Sequence, residues 1–595
     1  ILYRSSAEEM LSIYNRNDII VDGQVSWEKL ANYLPVMIVT GNIPILENTT
    51  NKKETIYVNV RYENRQNPER SFTMENAVMT PQGTSSMYYP KKNFRLYTKK
   101  TPDTVLRVGS SEFGVGRIVE NKLYSFKEKA QPVKTWCFKA DYAESSSTHN
   151  TGVARLWNDA LANMQVDGKY VGRTLAQQAA IDNNYEYDVR TTVDGFPVVI
   201  FYHLTEDDPL IFLGKYNFNN DKSTESVFGF KDIPGFDNSR MQCWEQLDSG
   251  NAYGLFNGDP AGFDDNWADA FEGRYPDESE DTVDLKAFYT WVYSCRNDQE
   301  KFNREWKEHI DPHKMAAYYV YLIRFGGVDQ VAKNAMLTSE DGIHWFFINY
   351  DNDTVLGLDN DGLLKYYWDI DRQTKIEGTD VYCYAAHDSA LWNLLEGCDE
   401  FMELVPTVDQ ALYNARKGTE DVGISYNNVI KMFNTKQAGQ WCERVYNEDS
   451  NYKYINPFKN NSVNHLGKLQ GSRSAHRAWW IQNRWNLFDG KWMTGDFRKD
   501  GITFKCQTGA AGTTLNITSG NEMYYGIKVQ TKVIESRNLP VGQSADFAID
   551  RELQIGTPVS ICNPSNVRGL NISNFAENLA ALDMAKVQND YGESQ

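Results

Sequence analysis

Paired cysteines, long apolar runs and an excess of basic charge are all missing from this chain of 595 residues. Its eight cysteines form no C-x-x-C pair and lie at no metal-ligand spacing with histidine, which predicts reduced, buried thiols and an intracellular place of synthesis. No apolar run approaches the roughly 20 residues of a membrane-spanning helix. The formal net charge of −19 argues against general nucleic-acid binding, because phosphate backbones attract basic surfaces.

Apolar and aromatic residues are plentiful, at 41% and 13%, and the length predicts roughly three or four domains. We expect a mostly β unit over 1–130 and a mixed, then helical unit over 131–490, with an irregular aromatic insertion at 238–280. Apolar patterns in the second unit predict strands at 133–140, 196–203 and 212–218 and a buried helix at 314–325. They also predict helices at 437–447 and 474–488, the latter with Arg477 and Arg484 on its polar side. Alternating residues between Gly, Asn and Ser turns predict a small β-sandwich over 495–555. The last block, 556–595, carries a Leu-x-x-Leu-x-Met pattern that fits either the start of leucine-rich repeats or a terminal helix.

A β-hairpin is predicted in the middle of the chain. Residues 333–338 and 344–350 have the composition of strands, and the Ser-Glu-Asp-Gly stretch at 339–342 has that of a turn. The open end of such a hairpin brings Asn334 and Asp351 close together in space.

Four polar residues flank this hairpin in the order that phosphoryl-transfer sites use. Asp329 precedes Asn334 by five positions, and Asp351 and Asp353 follow the second strand. In such sites one carboxylate accepts the proton of the attacking hydroxyl, while an amide oxygen and a second carboxylate hold Mg²⁺ against the phosphates. Taken singly, each of these residues is more typical of an ordinary surface loop.

A second polar stretch lies far upstream. A small-residue turn that contains Gly83, Ser85 and Ser86 leads into a strand that carries Lys91 and Arg95 on one face. The backbone N–H groups of such a turn can bind phosphates, and a lysine just beyond it can neutralise them. An ordinary hairpin with a solvated basic strand is the alternative.

Three blocks of the chain together resemble the spore-coat CotH kinase family. The blocks are 83–96 (GTSS, then PKKNFRL), 212–217 (FLGKYN) and 333–357 (KN, W, DND, G). In this order they are similar to the family's RGNSS…KKSYRL, NGxYxGxY and N…W…DxDxxxG motifs, and the resemblance covers roughly residues 30–490.

This resemblance implies an α+β fold of the atypical protein-kinase type, with two lobes and a cleft between them. It implies that Lys91, with the turn at 83–86, contacts nucleotide phosphates and that Asp329 is the catalytic base. Asn334 and Asp351 would ligate Mg²⁺, and Asp353 would be a further metal residue. An active domain would need Mg²⁺ and ATP as cofactors, and a purely structural domain would need neither.

The sequence departs from the family pattern at three places. Residues 82–84 are Gln-Gly-Thr where the family has Arg-Gly-Asn. A glutamate partner for the nucleotide-binding lysine cannot be chosen among Glu120, Glu128 and Glu144. The aromatic insertion at 238–280 could fill the cleft. A kinase-like fold without activity is therefore one of the expectations.

The layout of the whole chain resembles structural proteins of crAss-like phage tails, of the muzzle type. This resemblance implies a virion tail protein made in host cytoplasm, which forms a homo-oligomer and contacts other tail proteins, with the CotH-like domain as a building block. Two alternatives remain open: an active Mg²⁺/ATP-dependent protein kinase of CotH type, and an adhesin that binds a host-surface ligand through the region after residue 489.

Overall fold

The computed structural model describes residues 20–22, 24–98, 106–108, 111–113, 123–142, 144, 149–222, 228, 230, 233–276, 279–359, 362–364, 366–376, 378–434, 473–492, 503–506, 513–520, 523–529, 532–549, 553, 558–562, 567–572 and 579–581. Five of the eight cysteines are free and buried, as predicted, and they are Cys137, Cys243, Cys295, Cys383 and Cys398. Among the described helices, none combines the length and the apolar character needed to cross a membrane.

Seven strands of the N-terminal half close into a barrel. Antiparallel pairing runs in the order β1-β2-β3-β4-β5-β7-β6, and β6 closes the barrel by pairing in parallel with β1. Closure leaves no unpaired sheet edge. The strands are β1 Val36–Thr40, β2 Ile56–Glu63, β3 Phe72–Gln82, β4 Asn93–Tyr97, β5 Thr135–Lys139, β6 Gly195–His203 and β7 Ile211–Asn220.

The barrel corrects the expected boundary of the first β unit. Three of its strands, β5, β6 and β7, lie beyond residue 130, so the unit of 1–130 is too short. Periodicity predicted each of these strands, but their partners in the sheet are distant in sequence. Strand β5, for example, pairs with β4 and β7 at once.

The interior of the barrel is filled by alternate side chains of the strands, as the two-residue period of a strand requires. Phe94, Phe138 and Phe218 belong to this core, while Arg95 and Lys139 lie on the opposite, outer face of the same strands. The outer face of β4, β5 and β7 is polar. It is nevertheless largely buried, because the second half of the protein covers it.

A four-stranded antiparallel sheet follows, in the order β9-β8-β10-β11. Its strands are β8 Gln242–Gln246, β9 Phe271–Tyr275, β10 Ala335–Ser339 and β11 Trp345–Asn349. Strands β10 and β11 are the predicted hairpin, with Ala335 opposite Asn349, which confirms that prediction.

The predicted irregular insertion at 238–280 is wrong. Strands β8 and β9 and the helix Phe263–Ala270 lie in this segment, and β8 is a central strand of the sheet. Its aromatic side chains pack in the main helical core, where Trp244, Phe256 and Phe263 are buried. They form core structure because β8 pairs with β10, a contact that local composition does not show.

Helices surround this sheet and pack on one large apolar core. As predicted, α8 is almost entirely buried. The helices are α1 Trp27–Leu30, α2 Ile43–Asn48, α3 Ala154–Asn163, α4 Leu175–Asp182, α5 Phe263–Ala270, α6 Val283–Cys295, α7 Gln299–Glu305, α8 Pro312–Arg324, α9 Ala390–Glu396, α10 Asp399–Tyr413, α11 Tyr426–Asn434 and α12 Arg473–Trp492. A further helix predicted at 437–447 lies outside the described residues.

The long helix α12 carries its arginines inward. Arg477 and Arg484 were expected on a polar outer side, but both are buried. The guanidinium of Arg484 donates to the main-chain carbonyl oxygens of Ile323, Trp368 and Ile370, which holds α12 against α8 and the loop after the hairpin. The apolar stripe predicted the helix correctly, but it could not show that free carbonyl groups face its other side.

The C-terminal region is a β-sandwich, as predicted, and it extends past residue 555. A five-stranded sheet (β15-β14-β17-β12-β19) and a three-stranded sheet (β16-β13-β18) share one apolar core. The strands are β12 Thr503–Cys506, β13 Thr514–Ser519, β14 Met523–Val529, β15 Lys532–Leu539, β16 Ser544–Ala548, β17 Pro558–Cys562, β18 Val567–Ile572 and β19 Leu579–Ala581.

Both predictions for the block 556–595 are wrong where the structure describes it. Strand β18 pairs with β13, and β19, which begins at Leu579, pairs with β12. Among the described residues of this block, Leu570 and Leu579 therefore lie on strands of the sandwich, and no leucine-rich repeat or helix begins there. Long-range pairing decides this outcome, and the Leu-x-x-Leu spacing alone could not reveal it.

Candidate functional site

Three polar side chains on the outer face of the barrel mark the centre of the site. Lys139 at the end of β5 lies directly opposite Asn217 on β7, and Lys215 shares that face two positions earlier. The exposed fractions are 0% for Lys215 and Asn217 and 7% for Lys139. Because a buried ammonium is costly without a partner, acidic groups must lie against this face.

Asp141 is the partner of Lys215. Its Oδ2 lies 3.2 Å from Lys215 Nζ and accepts a hydrogen bond from the amide of Asn217, while Oδ1 accepts one from Asn150 Nδ2 at 3.2 Å. Burial raises the pKa of Asp141, and the positive charge of Lys215 opposes this rise. Both charges of the pair are therefore satisfied inside the protein.

Lys139 connects the barrel to the open end of the hairpin. Its Nζ lies 3.1 Å from Asp351 Oδ2. Burial alone would lower the pKa of Lys139, but the charge of Asp351, with smaller contributions that include Asp353, raises it well above the ordinary value. Beside this ion pair, the main-chain N–H of Asn352 donates to Asn150 Oδ1 at 2.9 Å. The ammonium of Lys139 thus stays charged in a buried position.

The loop after α8 meets the same end of the hairpin. Asn334 Nδ2 donates to Asp329 Oδ2 at 3.3 Å. Gln330 Nε2 donates to the main-chain oxygen of Asp351 at 2.7 Å and to Thr354 Oγ1 at 3.1 Å. The structure therefore brings the predicted residues Asp329, Asn334 and Asp351 into one neighbourhood, as the hairpin geometry implied.

Asp353 shows how strongly negative this neighbourhood is. Burial raises its pKa well above the ordinary value, and the charges of Asp351, Asp329 and Asp141 raise it further, while Lys139 opposes the rise. We call Asp141, Asp329, Asp351 and Asp353 the carboxylate cluster. These four carboxylates outnumber the two lysines that pair with them, Lys139 and Lys215, and their mutual repulsion adds to the effect of burial on the pKa of Asp353.

Three residues with a strained backbone lie in the same place. Asp141, Asn334 and Asp351 all have left-handed backbones, with φ of 49°, 54° and 52°. Asp and Asn tolerate this conformation better than other residues with a side chain, yet each such residue still costs on the order of 1–3 kcal/mol. Strain of this kind typically lies at functional sites, where surrounding contacts hold it in place.

The residues fit a magnesium ion that brings phosphate oxygens with it. Asp351 Oδ1 is buried and has no hydrogen-bond partner in the described part of the chain. Within the same residues, no group of three or more His, Cys, Asp and Glu side chains could hold a metal ion by themselves. Mg²⁺ commonly uses only one or two protein carboxylates and completes its octahedral coordination with waters and phosphate oxygens. Asp351, Asp353 and Asn334 are enough ligands for a site of that kind.

The small-residue turn lies next to this cluster. Gly83 has a φ of 117°, and a Cβ there would collide with Ser86 Oγ. That hydroxyl accepts from Asn93 Nδ2 at 3.2 Å, and Asn93 Oδ1 accepts from the main-chain N–H of Ala140 at 2.7 Å. Ser85 begins the short 3₁₀ turn that follows. Glycine suits this position because of its left-handed backbone and because its missing Cβ leaves room for the Ser86 side chain, which is connected through Asn93 to the end of β5.

Lys91 lies near the cluster but points into the protein. Its side chain is 1% exposed, and Nζ donates to the main-chain oxygens of Ala140, at 3.1 Å, and Lys215. The ammonium also lies 4.2 Å from the centre of the Tyr216 ring. Its charge opposes the pKa rise of Asp141 that burial causes. In this state Lys91 supports β5 and β7, and its contact with phosphates stays a prediction.

The three glutamate candidates differ in their surroundings. Glu144 is buried, with Oε1 3.5 Å from His149 Nε2, and its charge contributes to raising the pKa of Asp141. Glu128 is exposed, and Glu120 lies outside the described residues. Among these three, Glu144 is the one that the described structure places beside the cluster.

Sequence reasoning missed four residues of the site: Lys139, Asp141, Asn150 and Lys215. Lys215 stood inside the FLGKYN block, and Lys139 and Asp141 flank the end of a predicted strand. The available signal was the alternation of polar and aromatic residues on β5 and β7. Such alternation is more often typical of a strand with a solvated outer face, so by itself it does not indicate a site.

Neither a scan against protein-family models nor a search of curated proteins gives a match to this chain.

Proposed function

We propose that the chain is a structural virion protein of a phage tail, in which a two-lobed CotH kinase-like domain serves as a building block. One observation carries the structural role: the three lysines of the phosphate site are already bound to carboxylates or to main-chain oxygens. Lys215 pairs with Asp141 and Lys139 pairs with Asp351. Lys91 binds main-chain oxygens and is almost fully buried.

These contacts give the cluster a role in architecture. They connect the outer face of the barrel to the hairpin of the second sheet, where a two-lobed kinase-like domain has its cleft. Lysines engaged in this way hold the two parts together and leave few charges to receive a nucleotide. The two-lobed description itself rests on the resemblance to the CotH family.

The placement in a phage tail rests on the resemblance of the layout. The β-sandwich of that layout is present, while two further strands of the sandwich occupy the position expected for leucine-rich repeats. Homo-oligomers usually have closed symmetry, so this proposal implies a ring or another closed oligomer.

Native mass spectrometry of the purified chain tests this proposal. We expect one closed oligomer with a fixed number of subunits, unchanged over about a tenfold range of protein concentration, because a ring has no free interface left for further growth. A strictly monomeric chain, or a series of oligomers without an end, would contradict it.

A second candidate is an Mg²⁺/ATP-dependent protein kinase of CotH type, and one specific observation favours it. Asp351 Oδ1 is buried without a hydrogen-bond partner in the described chain, beside a strained backbone, which suits a metal ligand. In this case Asp329 would accept the proton of the attacking hydroxyl, and Asp351, Asp353 and Asn334 would hold the metal ion that neutralises the phosphates. Binding of Mg²⁺ and nucleotide together is its measurable sign.

A further inference from the structure

A hollow opens at one end of the barrel, away from the carboxylate cluster. Its volume is about 370 Å³, within the usual range for sites that bind small molecules, and barrel mouths are common places for such sites. Three aromatic side chains form its apolar wall: Tyr62, Phe126 and Phe196. The ring of Tyr62 lies 5.2 Å from that of Phe126 and 6.3 Å from that of Phe196.

A smaller hollow adjoins it and shares Phe126, Lys127, Gly195 and Phe196 as common wall residues. Arg190 lines this smaller hollow and is 6% exposed. Two of its guanidinium nitrogens, Nε and Nη2, are buried and have no hydrogen-bond partner among the described residues. Buried donors of a charged group are rarely left without an acceptor, so this arginine points to a missing anion.

Among the described residues, Asp194 supplies the carboxylate closest to Arg190, but it does not supply that acceptor. Asp194 Oδ1 lies 3.9 Å from Arg190 Nε, beyond hydrogen-bond distance, and it is already bound by Lys127. Arg155, which is exposed and lines the larger hollow, adds a third positive charge that contributes to lowering the pKa of Asp194. Asp188 also lines the smaller hollow, but it is exposed to solvent. Positive charge therefore exceeds negative charge along this wall.

We propose that the hollow at the barrel mouth binds a small organic anion with a planar aromatic body. The body packs against Tyr62, Phe126 and Phe196, and the carboxylate or phosphate group extends into the smaller hollow and accepts hydrogen bonds from Arg190. Arginine suits this role because its planar fork donates to two oxygens of such a group at once. Neither the kinase-like cluster nor a structural role uses this site.

Binding of matched probes to the full chain tests the proposal. The probes are 2-naphthoate, 2-naphthyl phosphate and 2-naphthamide, which share an aromatic body, and only the amide is neutral. We expect saturable binding of at least one anion by titration calorimetry and weaker binding of the amide, by about tenfold or more, since a buried charged hydrogen bond is lost. The preferred anion distinguishes a carboxylate ligand from a phosphate ligand.

Variants place the anion in the hollow. Arg190→Met should reduce the affinity for the anion to that for the amide and leave the affinity for the amide unchanged. Arg155→Glu changes an exposed position and should not affect folding. We expect it to weaken the binding of the anion several-fold and to leave the binding of the amide unchanged. Arg240→Met, which removes an exposed arginine elsewhere, is the matched control and should change neither affinity.

Three results would overturn the proposal: no saturable binding of either anion, equal affinities for anion and amide, or wild-type affinity in a folded Arg190→Met variant. If Arg190→Met does not fold, two other measurements test the proposal: the affinities of the wild type for the anions and for the amide, and the anion affinity of Arg155→Glu. An anion affinity that is unchanged in Arg155→Glu would then contradict the proposal.

Discussion

Replacing Lys215 with methionine is expected to destabilise the barrel by about 3–5 kcal/mol at neutral pH, because it leaves the charge of Asp141 buried without its ion-pair partner. Burial already raises the pKa of Asp141, and loss of the lysine raises it further. A carboxyl whose pKa is raised in the folded state contributes stability at acid pH that is lost as the pH rises. The loss should therefore be smallest near pH 4, the ordinary range of aspartate, and grow toward neutrality.

Hydrogen–deuterium exchange of strands β5 and β7 measures this effect locally, as a lower free energy of opening. Lys286→Met is the matched control, since its ion pair with Asp264 is exposed and should change stability by less than about 1 kcal/mol. If Lys215→Met lowers the free energy of opening by less than about 1 kcal/mol, or by an amount that does not change with pH, the prediction is contradicted. The ion pair of Lys215 and Asp141 would then be exposed to solvent.

Arg324→Met should destabilise the helical half by a similar amount, about 3–5 kcal/mol. The guanidinium of Arg324 donates from Nε and Nη2 to the two carboxylate oxygens of Asp409, and from Nη1 to Asp489, each at 2.7 Å. These residues lie on α8, α10 and at the end of α12, and all three are almost fully buried. Removing the arginine leaves the buried carboxylate of Asp409 without its two hydrogen bonds and takes one partner from Asp489, so we expect α12 to separate from α8.

Limited proteolysis within α12 detects that separation. Arg324→Lys keeps the charge but cannot bind both oxygens of Asp409 in the same planar geometry, and it should show an intermediate effect. Arg304→Met, at an exposed ion pair, is the control and should be cut at the wild-type rate. Equal protection of α12 in Arg324→Met and the wild type would show that apolar packing alone holds this helix.

Local periodicity predicted the elements of this fold better than their partners. The hairpin of β10 and β11 and the buried helix α8 follow directly from apolar patterns and turn residues. The same patterns could not show that β5 to β7 complete a barrel, or that the segment 238–280 supplies a central strand. Both depend on pairing between distant parts of the chain, which leaves no mark in a short window of sequence.

The residues of the candidate site also differ in whether the sequence could predict them. Asp329, Asn334 and Asp351 were predictable because the hairpin brings its own two ends together. Lys139 and Lys215 were not, because polar residues alternating with aromatic ones typically face water. Here that face is covered by the second half of the protein, and the carboxylates that justify the buried lysines come from other segments.

Thermal unfolding with and without Mg²⁺ and ATP tests most directly whether the cluster is architectural. The structural proposal predicts no rise in melting temperature at millimolar Mg²⁺ and ATP, because Lys91, Lys139 and Lys215 are already bound inside the protein and are not available to phosphates. Asp351→Asn, which keeps the shape of the side chain, should then behave alike with and without nucleotide. A rise that corresponds to about 2.7 kcal/mol, as expected for a ligand at ~100 times its dissociation constant, and that Asp351→Asn abolishes, would contradict this account and support the kinase.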